Sequence, residues 1–101
     1  MGMANLQRMA MQMQQNMVKV QEELAEARVE GTAGGGAVKA VANGKQELVG
    51  ITIDPSAVDP AEVEMLQDLI VAAVTEAQRA ARELGEAKMA AVTGGLRLPG
   101  M

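Results

Sequence analysis

The chain has 101 residues and a formal net charge of −4, with no His, Cys, Trp, Tyr or Phe. This inventory excludes imidazole general bases, thiol nucleophiles and His- or Cys-ligated metal sites. It also removes the aromatic side chains with which small domains fill a core. The length allows one domain, and the apolar residues are mostly Ala, Val, Met and Leu. One copy therefore buries little area per residue, and association with a second copy is the expected remedy.

Taken whole, the negative charge argues against a phosphate-rich partner, but the charge is unevenly placed. Residues 1–21 hold Arg8 and Lys19 and no acid, a net of +2. Residues 22–78 carry a net of −8, and residues 79–101 a net of +2, with Arg79, Arg82, Lys88 and Arg97 against Glu83 and Glu86. The body is acidic and both ends are basic. No run is long and apolar enough to span a bilayer. Arg8 and four Gln residues interrupt the apolar positions after Met1 where a signal peptide needs a continuous apolar run, so the expected location is the cytoplasm.

Residues 3–27 read as a helix. Leu6, Met9, Met13, Met17, Val20, Leu24 and Ala27 recur at spacings of three and four, which places them on one face. The Met-rich stripe is read as core or dimer packing, since the flexible thioether fills irregular gaps. Three strands follow. Residues 28–32 form the first, and Gly34, Gly35 and Gly36 make a flexible turn. Residues 37–42 form the second strand, Asn43-Gly44 a two-residue type I′ turn, and residues 46–53 the third strand, with Ile51 and Ile53 on one face and Thr52 on the other. Asp54-Pro55-Ser56 turns the chain, and Asp59 with Pro60 is a helix start. Leu66, Ile70, Ala73, Ala77, Ala80, Leu84, Ala87 and Ala91 then alternate by four and three, an Ala-rich seam that permits close helix–helix approach. Gly85 is expected to mark a kink, and Thr93-Gly94-Gly95 to end the helix. The expected organisation is one domain over residues 1–93 and a mobile tail over 94–101.

The glycine-rich stretch lacks the phosphate-loop spacing and is not followed by a helix, so it is read as a hairpin connection. The carboxylates lack the spacing of a calcium loop and are read as solvated surface. Ser56 is the only Ser, and nothing near it in sequence supplies a base. No enzymatic activity, cofactor, metal or small-molecule substrate is expected.

The order helix, three strands, helix carries a resemblance. The stretches Met11–Glu23, Gly34–Lys39, Val41–Gly44, Ile51–Pro55, Glu64–Val74 and Met89–Met101 resemble, in order, the YbaB/EbfC family of bacterial nucleoid-associated proteins. Departures are small: Thr75-Glu76 stands where members often carry an Asn-Asp or similar polar pair, and Ala80-Ala81 is less charged than in many relatives. The resemblance implies a homodimer shaped like tweezers, with helical arms, that binds DNA with little or modest sequence preference.

The expected fold is thus α+β, α-β-β-β-α, with a three-stranded antiparallel sheet and two long helices, as a homodimer. Packed antiparallel, the helices are expected to bring residues near Arg8 beside residues near Lys88, so that the basic ends converge at an arm tip. The expected phosphate contacts are Arg8, Lys19, Arg79, Arg82, Lys88 and Arg97, which position DNA without reading sequence. Lys39 and Lys45, on the sheet, have acidic neighbours. The absence of aromatic residues excludes kinking by ring intercalation. The alternative is a protein-interaction adaptor for a replication or repair factor, docking through the Met-rich helix.

Overall fold

The two apolar periodicities become two helices, α1 (Gly2–Glu26) and α2 (Val63–Thr93). Between them lie β1 (Val29–Ala33), β2 (Val38–Ala42) and β3 (Leu48–Ile53). In this computed structural model, which describes residues 2–93, the strands pair antiparallel in the order β1-β2-β3. The α-β-β-β-α architecture is the one read from the sequence, with strand ends moved by one or two residues.

Register places small residues where the helix must approach. Gly31 pairs with Ala40, and Ala40 with Ile51; Val29 pairs with Ala42, and Ala33 with Val38. These residues share one sheet face. Ala73, Ala77 and Ala81 of α2 bury against it, with Val38, Ala40 and Ala42 forming the centre of the core. The approach is so close that a Cβ on Gly31 would collide with the Ala73 carbonyl oxygen and the Ala77 amide nitrogen. The Ala seam of α2 is therefore spent on the sheet inside one subunit, and it is not free to seat a second helix as the spacing suggested. The outer members of that seam, Ala87 and Ala91, are exposed.

The turns also differ in detail. Gly34, Gly35 and Gly36 all have positive φ, a run that only glycine adopts without strain. The β2–β3 connection is not a two-residue type I′ turn. It spans residues 43–47, and the one positive φ in it belongs to Gln46, at 66°. Buried Asn43 closes this loop. Its Oδ1 accepts from the Lys45 and Glu47 amides at 2.9 and 3.1 Å, and its Nδ2 donates to Glu47 Oε1 at 2.7 Å. Gly44 is there for another reason. Its amide donates to the Leu24 carbonyl at 2.7 Å, and an added Cβ would lie 2.6 Å from Leu24 Cδ2. This contact pins the end of α1 to the hairpin.

Asp54 and Asp59 each cap a short 3-10 turn, accepting from the Ser56 and Ala61 amides, and the second turn leads into α2. Gly85 does not interrupt α2, which is one helical element from Val63 to Thr93; it lies near the Gly44 carbonyl. The particle measures 72 × 28 × 16 Å. Its radius of gyration, 19.6 Å, exceeds the ~13 Å of a compact 100-residue domain, because α1 projects beyond the sheet.

Candidate nucleic-acid interface

Where α1 meets α2 decides which basic residues can act together. Lys88 Nζ lies 3.1 Å from Glu23 Oε2 and donates to it. Asn16, Lys19, Val20 and Glu23 face Lys88, Ala91 and Val92 across a shallow groove. The helices are antiparallel, as expected, but their register is not the expected one. Lys88 sits beside Glu23 and Lys19, and Arg8 lies roughly 17 Å further out along α1 than Lys19 at 1.5 Å per residue. The reason is the anchor at the other end: the Leu24–Gly44 contact fixes α1 on the hairpin, so its first half overshoots the described end of α2.

The basic residues consequently fall into different settings. Arg8 and Lys19 are exposed on α1, and Arg82 is exposed on α2; none has an ion pair among the described residues. Arg79 is held between two acids, donating to Glu83 Oε1 and Glu76 Oε2 at 2.7 Å each. The hydrogen bond from Arg79, reinforced by its charge, lowers the Glu76 carboxyl below its ordinary range, and the same bond raises Arg79. That cluster carries a net charge of −1 and does not attract phosphate by its charge. On the sheet, Lys39 lies 3.9 Å from Glu30. Arg97, and the tail over 94–101, lie outside the described residues.

The structure thus brings Lys19 and Lys88 to one groove, leaves Arg8 alone on the projecting helix, and neutralises Arg79. Charge counting along the chain missed the neutralisation, although the i,i+3 and i,i+4 spacing of Glu76, Arg79 and Glu83 announces it. No group of three or more His, Cys, Asp or Glu side chains that could hold a metal occurs among the described residues. No described helix is long and apolar enough to cross a membrane.

The sequence pattern of the YbaB/EbfC DNA-binding family matches residues 1–96. The chain belongs to this family. It is similar to a nucleoid-associated protein of Moorella thermoacetica, at 56% identity over 99% of both chains. It is also similar to a nucleoid-associated protein of Chloroflexus aurantiacus, at 54% identity over 96% of this chain and 97% of the relative. Among solved structures, the uncharacterized protein HP0035 from Helicobacter pylori superposes with a TM-score of 0.75 at 23% identity, covering 96% of this chain and 99% of that one. That likeness concerns the fold. Family membership makes DNA the expected partner, and the stretch of α1 before Glu22 is its acid-free segment.

Proposed function

We propose that the chain is a nucleoid-associated protein that binds duplex DNA as a homodimer, chiefly through phosphates and with little or modest sequence preference. The observation that carries this reading is the acid-free stretch of α1. It projects from an acidic body and presents Arg8 and Lys19 without ion-pair partners among the described residues. Arg82 is likewise exposed and has no ion pair among the described residues. Lys88 and Arg79 are lesser contacts, because carboxylates already engage them, and Arg97 completes the proposed set. The nucleoid, within the cytoplasm, is the corresponding location, and nucleoid organisation and gene regulation are the corresponding roles.

The test is a titration of unrelated duplexes at low salt. Wild type should bind them with similar affinity. Arg8→Ala with Lys19→Ala and Arg82→Ala should weaken binding about tenfold or more on every duplex. Lys39→Ala with Lys45→Ala should weaken it much less. A larger effect from the sheet pair would move the interface to the sheet.

The second copy supplies the other arm of the tweezer, and β3 is where we place it. Leu48, Ile51 and Ile53 lie on the helix-bearing side of the sheet; Ile53 packs against the core, but α2 lies over β1 and β2 and leaves Leu48 and Ile51 largely uncovered. Leu48 is 45% exposed and Ile51 40%. The strand is an edge with neither charge nor Pro, features that normally protect edges. Sedimentation at low micromolar concentration should therefore show a two-chain species, and Ile51→Lys should shift it towards one chain. A well-folded wild-type monomer at that concentration would remove the tweezer.

A protein-interaction adaptor is the second reading. It is favoured by the uncovered Met3, Leu6, Met9 and Met11 of α1. It takes precedence if purified protein binds no DNA at low salt.

A further inference from the structure

One stripe of α1, turned away from its buried side and lying beside the exposed apolar Ala4, Met11 and Val18, is polar throughout. Leu6, Met13, Met17, Val20 and Leu24 define the body-facing side, with Val20 and Leu24 buried. At 100° per residue the polar stripe holds Asn5, Arg8, Gln12, Gln15 and Lys19, spaced by three and four. All five are exposed. Three are amides and two are cations, with no carboxylate before Glu22. A solvated helix face is ordinarily built from Lys and Glu pairs, which add i,i+4 support. Asn is also a poor helix former. None of these three amides makes a side-chain hydrogen bond within the described chain. The face thus gives up local stability and leaves donors and acceptors unpaired, as residues kept for an external partner do.

We propose that this amide face enters the DNA major groove and reads base edges there, with Gln12 and Gln15 as the principal readers. Asn5 extends the reach, and Arg8 and Lys19 hold flanking phosphates. The proposal rests on the DNA-binding reading above and adds to it a groove and a source of sequence preference. The dimensions agree. A helix with its side chains is about 10–12 Å across, and the major groove is about 12 Å wide. From Asn5 to Gln15 the helix rises roughly 15 Å, a span of four to five base pairs at about 3.4 Å per pair. Over that stretch α1 has no neighbouring helix alongside it among the described residues, since α2 ends beside Asn16–Val20. A carboxamide offers a donor and an acceptor together, which matches the N6 donor and N7 acceptor that adenine presents in that groove.

The experiment uses the full chain and a pool of randomised duplexes. Wild type should enrich a subset containing A·T pairs and bind it about tenfold more tightly than a scrambled duplex, a gap of about 1.4 kcal/mol. Gln12→Ala with Gln15→Ala should lower that ratio to near one while binding to scrambled DNA stays within about twofold. Both replacements raise helix propensity, so the fold is kept. Replacing adenine by 7-deazaadenine in the enriched duplex removes the N7 acceptor and leaves pairing intact. It should abolish the preference of wild type and change nothing for the double variant. An unenriched pool, a double variant that keeps its preference, or equal discrimination on the corresponding RNA duplex overturns the proposal, because the RNA major groove is too narrow for side chains to read. These results leave phosphate-mediated binding standing. Failure to bind any duplex overturns both readings.

Discussion

Gly31→Ala should unfold or severely loosen the protein, with a loss of about 3 kcal/mol or more, the upper end for overpacked cores. The added methyl would meet backbone atoms, the Ala73 carbonyl and the Ala77 amide, together with Glu76 Cβ at 2.8 Å. A flexible side chain could rotate away; a helix backbone must lift. Lifting α2 would also separate Ala77 and Ala81 from Ala40 and Ala42, the centre of the core. For a domain of this size the midpoint should fall by about 12 °C or more. Calorimetry or thermal denaturation at fixed protein concentration checks this, since association makes the midpoint concentration-dependent. A loss below about 1 kcal/mol would mean that α2 rides higher on β1 than described.

Gly44→Val should cost about 2–3 kcal/mol, and Gly44→Ala nearly as much, because the first added carbon already makes the clash. It would lie 2.6 Å from Leu24 Cδ2 and 2.9 Å from the Leu24 Cα and carbonyl oxygen. The conformation of the turn predicts a different pattern. Were Gly44 needed for positive φ, the residue beyond it would tolerate change poorly. Here Gln46 carries the positive φ of 66°, so Gln46→Gly should be neutral or stabilising by up to about 1 kcal/mol. Chemical denaturation of the three variants separates the two explanations. Since Leu24 is only 4% exposed and anchors α1, the Gly44 variants should also loosen the base of the arm.

Much of the fold was legible in the sequence because it rests on strong periodicities. The three-four spacing from Leu6 to Leu24 and from Leu66 to Leu84 identified both helices, and the alternation Ile51, Thr52, Ile53 identified a strand with two distinct faces. What spacing could not show was the partner of each face. The Ala seam looks the same whether it meets a helix or a sheet; Gly31, forty-two residues before Ala73, decides for the sheet by leaving room for α2 on β1. Asn43-Gly44 carries the residue types of a tight turn, but Gly44 answers to Leu24, a contact invisible to local pattern. The register of α1 on α2 was illegible for the same reason, since that contact sets it, and it moved Arg8 away from Lys88.

The candidate site was legible as charge and illegible as arrangement. Segment sums located basic ends on an acidic chain. They weighed Arg79 and Arg82 equally, although Arg79 is bracketed by Glu76 and Glu83 and Arg82 has no ion pair among the described residues. They also passed over the uncharged amides of α1, which a helical projection of residues 5–19 reveals without any coordinates.

The central claim is that the acid-free arm meets DNA through phosphates, and the dependence of affinity on salt tests it most directly. For about 4–6 phosphate contacts per dimer, the logarithm of the association constant should fall against the logarithm of salt concentration with a slope of roughly −4 to −5. Arg8→Ala with Lys19→Ala removes up to four of those contacts per dimer, two from each copy, and should make the slope shallower by about 3 to 4. An unchanged slope in that variant, with wild-type DNA binding intact, would contradict the account and place the phosphate contacts elsewhere on the molecule.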